Sequence, residues 1–158
     1  MKTKKEERPT IHDGAGTPRQ ERYKAAIEHC NKAKKEGFFI EAIAIEESLI
    51  ADRLESLTNE ITGGGWSYKP AGKLVWNLLN NHRLHLNEEL IEWLKNVQGW
   101  CRKRNYAIHR MAKLTPDMKG SFDEDYSNLS AVTKDGMKVF RGLDNAIRKY
   151  RNSKSKTK

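Results

Sequence analysis

The segment RNYAIHR, Arg104 to Arg110, places a guanidinium, an amide and an imidazole close together in the chain and contains no carboxylate. These residue types suit phosphate chemistry. A guanidinium meets two phosphate oxygens at once through its planar fork. An imidazole titrates near neutral pH and can give or take a proton there. The amide of Asn105 can orient the ring or bind phosphate itself. The flanks add charge: Arg102, Lys103, Arg104, Arg110 and Lys113 occur with no Asp or Glu between them. The alternative reading is a solvated basic turn.

The elements that must hold these residues read as helices throughout. Thr17 and Pro18 open a first helix that runs to about Glu36 and ends at Gly37. A second runs from near Phe38 to about Ile61, where the glycines of TGGGWS stop it. Pro70 opens a third through about His82. Asn87 caps a fourth that reaches about Lys113, with Glu88 and Glu89 suited to its positive end. LTPDMKGSFDEDYS reads as loop, and a fifth helix spans roughly Leu129–Arg151, its first turns weakened by Gly136. No segment alternates like a strand. The expected fold is all-α, an up-down bundle of about five helices. Residues 1–17 read as a disordered tail, 18–152 as the domain and 153–158 as a basic tail.

Two residues break the apolar pattern. On a wheel of about 100° per residue, Leu90, Leu94, Val97, Cys101, Ile108 and Met111 form one stripe of the fourth helix, and Arg104 falls inside it. On the second helix the stripe is Ile40, Ile43, Ala44, Ile50, Ala51, Leu54 and Ile61, and Glu47 falls inside it. A lone buried charge costs several kcal/mol, so Glu47 and Arg104 are expected to meet. Otherwise Arg104 reaches out along its stem and Glu47 sits at a stripe edge. His109 lies about 140° round from Arg104, and Asn105 lies one turn before it.

Composition bounds the rest. The chain has 158 residues, 37% hydrophobic and 32% charged, with a net charge of +9. That is one domain's length, and the charge favours a polyanionic partner such as nucleic acid. No apolar run is long enough for a membrane helix, and no signal peptide opens the chain. Cys30 and Cys101 are too few for a disulfide framework and read as reduced core thiols of a cytoplasmic protein.

RNYAIH, an arginine followed by a polar residue and by a histidine after four intervening residues, resembles the Arg-x4–6-His signature of HEPN domains. The resemblance covers residues 18–152 in architecture, and in residues rests on that motif and an acidic position on an earlier helix. It implies an all-α, often dimeric, metal-independent endoribonuclease of the kind found in toxin–antitoxin and phage-defence systems. Arg104, His109 and Asn105 are then the expected catalytic residues, with Glu47 supporting Arg104. Arg102, Lys103, Tyr106, Arg110 and Lys113 are expected to contact RNA. Cleavage would use the neighbouring 2′-hydroxyl, with no cofactor and no metal. One motif supplies one histidine, so a homodimer with two motifs at one cleft is expected, as is an antitoxin or other regulatory protein. The same architecture without activity, binding RNA, nucleotide or a partner protein, is the alternative reading.

Other features are weaker. Phe38, Ile45 and Leu49 form a second strip on the second helix, either a dimer face or a surface packed under the first helix. His82 and His85 have a metal-compatible spacing, with Glu88 and Glu89 following but no evident third ligand. Trp66, Trp76, Trp93 and Trp100 read as core anchors. TGGGWSYKPAGK lacks the spacing of a phosphate-binding loop.

Overall fold

The structure, a computed structural model, describes residues 16–112 and 119–155. They form five helices: α1 (Gly16–Glu36), α2 (Phe39–Thr62), α3 (Ala71–Asn81), α4 (Glu88–Ala112) and α5 (Phe122–Ser155), with a short 3-10 turn at Arg83–His85 before α4. No strand occurs among the described residues, and the chain is an all-α bundle. Each helix packs on its neighbour in sequence, and α5 lies along both α4 and α2. Of the expected tails, residues 1–15 and 156–158 lie outside the described residues, as does Lys113.

Local chemistry explains the helix ends. Gly37 ends α1 with φ +83. Its N–H reaches the Lys34 carbonyl and the Phe38 N–H reaches the Ala33 carbonyl, the paired bonds of a Schellman ending. Gly63 ends α2 at φ +68 with one bond to the Asn59 carbonyl, the simpler left-handed ending. Asn87 caps α4 through its side-chain oxygen, which accepts the Leu90 N–H at 2.9 Å.

The start of α5 corrects the sequence reading. The stretch expected to remain loop turns helical at Phe122. Ser121 and Glu124 form a reciprocal capping box: the Ser121 hydroxyl accepts the Glu124 N–H at 3.2 Å, and the Glu124 carboxylate accepts the Ser121 N–H at 2.9 Å. Asp123, Glu124 and Asp125 then occupy the first turn, where negative charge is favoured. The helix also continues to Ser155, beyond the expected end.

The core gathers Ile43, Ile50 and Leu54 of α2, Leu74 and Leu78 of α3, Leu90, Leu94 and Trp100 of α4, and Leu129, Leu143 and Ile147 of α5. Three further findings concern its edges. Trp100 is buried, but Trp66 and Trp76 are half-exposed, so only part of the tryptophan set anchors the core. Of the second strip of α2, Leu49 is buried and Ile45 packs against the core, in line with packing inside the bundle, while Phe38 is exposed. The buried face of α2 is also rotated from the expected one: Ile40 is exposed, while Ala42, Ile43, Glu46, Leu49 and Ile50 point inward.

Glu46, rather than Glu47, is therefore the fully buried carboxylate of α2. Its Oε1 accepts from Lys34 Nζ at 3.5 Å and lies 3.6 Å from the Cys30 thiol, while its Oε2 has no hydrogen-bond partner. Gly136 makes room for it, since a Cβ there would collide with this carboxylate and crowd the Trp100 ring. The glycine that weakened the sequence reading of α5 is thus the packing complement of a buried acid.

Candidate functional site

Arg104 lies on the buried stripe of α4, and its Nη2 donates to Glu47 Oε2 at 2.6 Å. The expected pairing of α2 and α4 is present, with 19% of each side chain exposed. The pair does more than neutralise two charges. Glu47 Oε1 accepts the Ala71 N–H at 3.0 Å, so one carboxylate joins Arg104 to the first residue of α3. Arg104 also lies over the Trp100 ring one turn earlier, 5.8 Å from guanidinium carbon to ring centroid. Trp100 is itself fixed by its indole N–H, which donates to the Val132 carbonyl at 3.0 Å. Residues of α2, α3 and α5, together with Trp100 of its own helix, therefore set the position of this guanidinium. Its Nε is buried with no hydrogen-bond partner.

His109 and Asn105 are both solvent-exposed on α4. Among the described residues neither has a hydrogen bond to Arg104 or to any other side chain. The helix places the imidazole a little over one turn beyond the guanidinium and about 140° round the axis, so the two lie on different faces. The structure brings Glu47 and Arg104 together, and it leaves His109 open to solvent.

The basic block around the motif is less positive in space than in sequence. Lys103 pairs with Asp135 of α5 at 3.2 Å. Arg110 pairs with Asp125 of α5 at 2.9 Å, donates to the Tyr106 hydroxyl at 3.0 Å and to the Lys119 carbonyl at 3.3 Å. Tyr106 and Asp125 hold the Arg110 guanidinium above its usual pKa, so it stays a cation engaged with its own fold. Arg102 is exposed, with no ion pair among the described residues. Tyr106 is 65% exposed and lies beneath the Arg110 guanidinium, with its ring centroid 5.7 Å away.

Cys101 borders the Glu47–Arg104 pair, but burial, aided by the Glu47 charge and opposed by Arg104, pushes its thiol up to about 11. It remains protonated and is no nucleophile at neutral pH. Cys30 is likewise raised to about 11 by burial and by Glu46. His82 and His85 have ring centroids 6.4 Å apart, and no cluster of three or more metal-ligating side chains occurs among the described residues. A cleft of about 880 Å³ lies between α1, α2 and α5, but no motif residue lines it, and its Arg53 and Arg148 both pair with Asp144.

Two structural acids escaped the sequence reading. Glu46 was hidden by the misplaced stripe. Glu55 is buried on α2 and gathers the Ser67 N–H, the Ser67 hydroxyl and the Tyr68 N–H onto a single oxygen. The clue to Glu55 was the glycine-rich connection itself, whose backbone donors need an acceptor once they lie against a helix.

The fold is an all-α helical bundle with an interhelical Glu47–Arg104 clamp, and the helix that carries Arg104 also exposes His109. No protein-family model, curated protein or solved structure matches the chain. No helix among the described residues is long and apolar enough to cross a membrane.

Proposed function

We propose that this chain is a metal-independent endoribonuclease of HEPN type, acting in the cytoplasm as a toxin or phage-defence effector under the control of a partner protein. The observation that carries the reading is the Glu47–Arg104 clamp, with its 2.6 Å bond, on the helix that also exposes His109. In the reaction, a base removes the proton of the 2′-hydroxyl, whose oxygen attacks the adjacent phosphorus. The bond to the 5′-oxygen breaks, and an acid returns a proton to that oxygen, leaving a cyclic phosphate and a 5′-hydroxyl. His109 serves as base or acid. Arg104, oriented by Glu47, meets the charge that develops on the phosphate oxygens. Asn105 assists with a hydrogen bond to phosphate or imidazole. A second histidine comes from a second copy, with the two motifs facing one cleft.

His109→Ala should lower RNA cleavage in the presence of chelator by about 100-fold or more, with the melting temperature little changed because the ring is exposed. Undiminished cleavage in this variant removes the proposed acid or base. The shared cleft requires a symmetric dimer in solution, which light scattering checks. A monomer at the concentrations where RNA is cut would sink the two-histidine mechanism.

A second reading, an inactive helical module that binds RNA, nucleotide or a partner protein, is favoured by the acids facing the block. Asp135, Glu47 and Asp125 engage Lys103, Arg104 and Arg110, which leaves less positive charge for a phosphate chain. Purified protein that binds RNA without cutting it would select this reading.

A further inference from the structure

A second surface, away from the motif, combines unpaired cations with exposed aromatic rings. From Ile61 to Asn87 the chain contains no Asp or Glu, yet it holds Lys69, Lys73 and Arg83 together with Trp66, Tyr68 and Trp76. The three rings are 49%, 91% and 56% exposed, respectively. Several surface cations elsewhere are matched, Lys103 by Asp135, Lys149 by Glu89 and Arg151 by Glu60, though Arg102, Lys134 and Lys138 are not among the described residues. Lys69 and Lys73 have no ion pair among the described residues. Two acids of α2 do reach this segment, but both are engaged with its backbone, Glu55 at Ser67 and Tyr68 and Glu47 at Ala71.

Lys69, Lys73 and Trp76 share one place, with Trp66 and Tyr68 next to it along the chain. A cleft of about 630 Å³ between the end of α2, the connection and α3 is lined by Gly64, Gly65, Lys69, Gly72, Lys73 and Trp76, among others. Trp66 and Tyr68 alternate along the chain with the lining residues Gly65, Ser67 and Lys69. On α3, Leu74, Val75 and Leu78 are buried while Lys73, Trp76 and Asn80 are exposed. Glu55, itself one of the lining residues, holds the backbone of Ser67 and Tyr68 and so fixes the course of the connection beside the cleft.

We infer that this surface binds single-stranded nucleic acid, with bases stacked on Trp76 and Tyr68 and phosphates held by Lys69 and Lys73. Unpaired bases offer flat apolar faces to exposed rings, and the phosphate chain matches lysines that make no ion pair. A duplex hides those faces in its own stack. Ala71, next in the chain to the lining residue Gly72, shares the Glu47 carboxylate with Arg104, its N–H on one oxygen and the guanidinium on the other. That last link, a strand running from this surface to Arg104, rests on the ribonuclease reading. The binding itself does not.

The test uses the full chain and a labelled oligothymidylate of about ten nucleotides, which has no 2′-hydroxyl and so cannot be cut by the proposed chemistry. Anisotropy should show binding, with quenching of tryptophan emission and weaker binding to a blunt duplex of equal length. Trp76→Ala should weaken the affinity about 5–100-fold. Tyr68→Asn should weaken it in the same direction. That second variant guards against misfolding, because Tyr68 is 91% exposed and asparagine tolerates its φ of 51. Lys69→Gln with Lys73→Gln should lower the salt dependence of log K by about 1.4. The proposal is overturned by affinity unchanged in both aromatic variants, or by a duplex that binds as tightly. It is also overturned if Trp76→Ala turns a wild-type dimer into a monomer that binds DNA as before, which would mark a self-association face. Oligothymidylate binding without any RNA cleavage keeps this proposal and removes the ribonuclease reading. RNA cleavage with unaltered affinity in both variants does the reverse.

Discussion

Arg104→Ala is expected to lower stability by about 2–4 kcal/mol and to remove RNA cleavage. Breaking a fully buried pair from one side costs about 3–5 kcal/mol, because the remaining charge has no partner. Here the loss is smaller, since 19% of each side chain is exposed and Glu47 keeps its bond to the Ala71 N–H. The packing of the guanidinium over Trp100 is lost as well. For a chain of this size the fall in melting temperature should be about 10 °C. Arg104→Lys separates structure from chemistry. Lysine keeps a cation opposite Glu47 and deletes the buried Nε–H that has no partner, so the melt should move only slightly. It cannot grip two phosphate oxygens at once, so cleavage should still fall by about 100-fold. Thermal melts run beside a cleavage assay with chelator read both effects. An Arg104→Lys protein that cleaves like wild type would restrict Arg104 to a structural role.

Glu46→Gln should stabilise the fold above neutral pH and leave it nearly unchanged in mild acid. Burial holds the Glu46 carboxyl at about 7 instead of 4.5, despite the opposing pull of Lys34. The folded chain therefore binds this proton more tightly than the unfolded chain does. The resulting stability is complete below about pH 4.5, declines as pH rises, and is lost above about pH 7. The swing is about 3 kcal/mol. Glutamine keeps the shape and has no proton to lose. The stability of Glu46→Gln relative to wild type should thus rise by that amount between about pH 5 and pH 8, read from urea melts of both proteins. Parallel pH profiles would mean that Glu46 does not stay in its dry position beside Gly136.

The sequence alone was enough for the helices and for the meeting of Glu47 with Arg104. Apolar spacing, the glycine endings at Gly37 and Gly63 and the cap at Asn87 are local signals, and local hydrogen bonding decides where a helix starts and stops. The pairing was legible because an ion on an apolar stripe demands a counter-ion, whatever the fold. The same reasoning misplaced the face of α2, because Ile40 at the exposed start of the helix and Leu49 on the buried side look alike as apolar letters. Only neighbours could show that Gly136 leaves a space for Glu46, or that Ser121 and Glu124 turn an apparent loop into the first turn of α5. The charge of the motif region was also settled in three dimensions. Its lysine and arginines have no nearby acid in the chain, yet Asp125 and Asp135 of α5 and Glu47 of α2 stand against them. Conversely, Lys69 and Lys73 drew little notice in the sequence and make no ion pair among the described residues, although the Glu55 carboxylate, bound to the backbone, lines the same cleft. Sequence spacing fixes which residues share one helix. Electrostatic potential sums over every charge within a few ångströms, and most of those come from other helices.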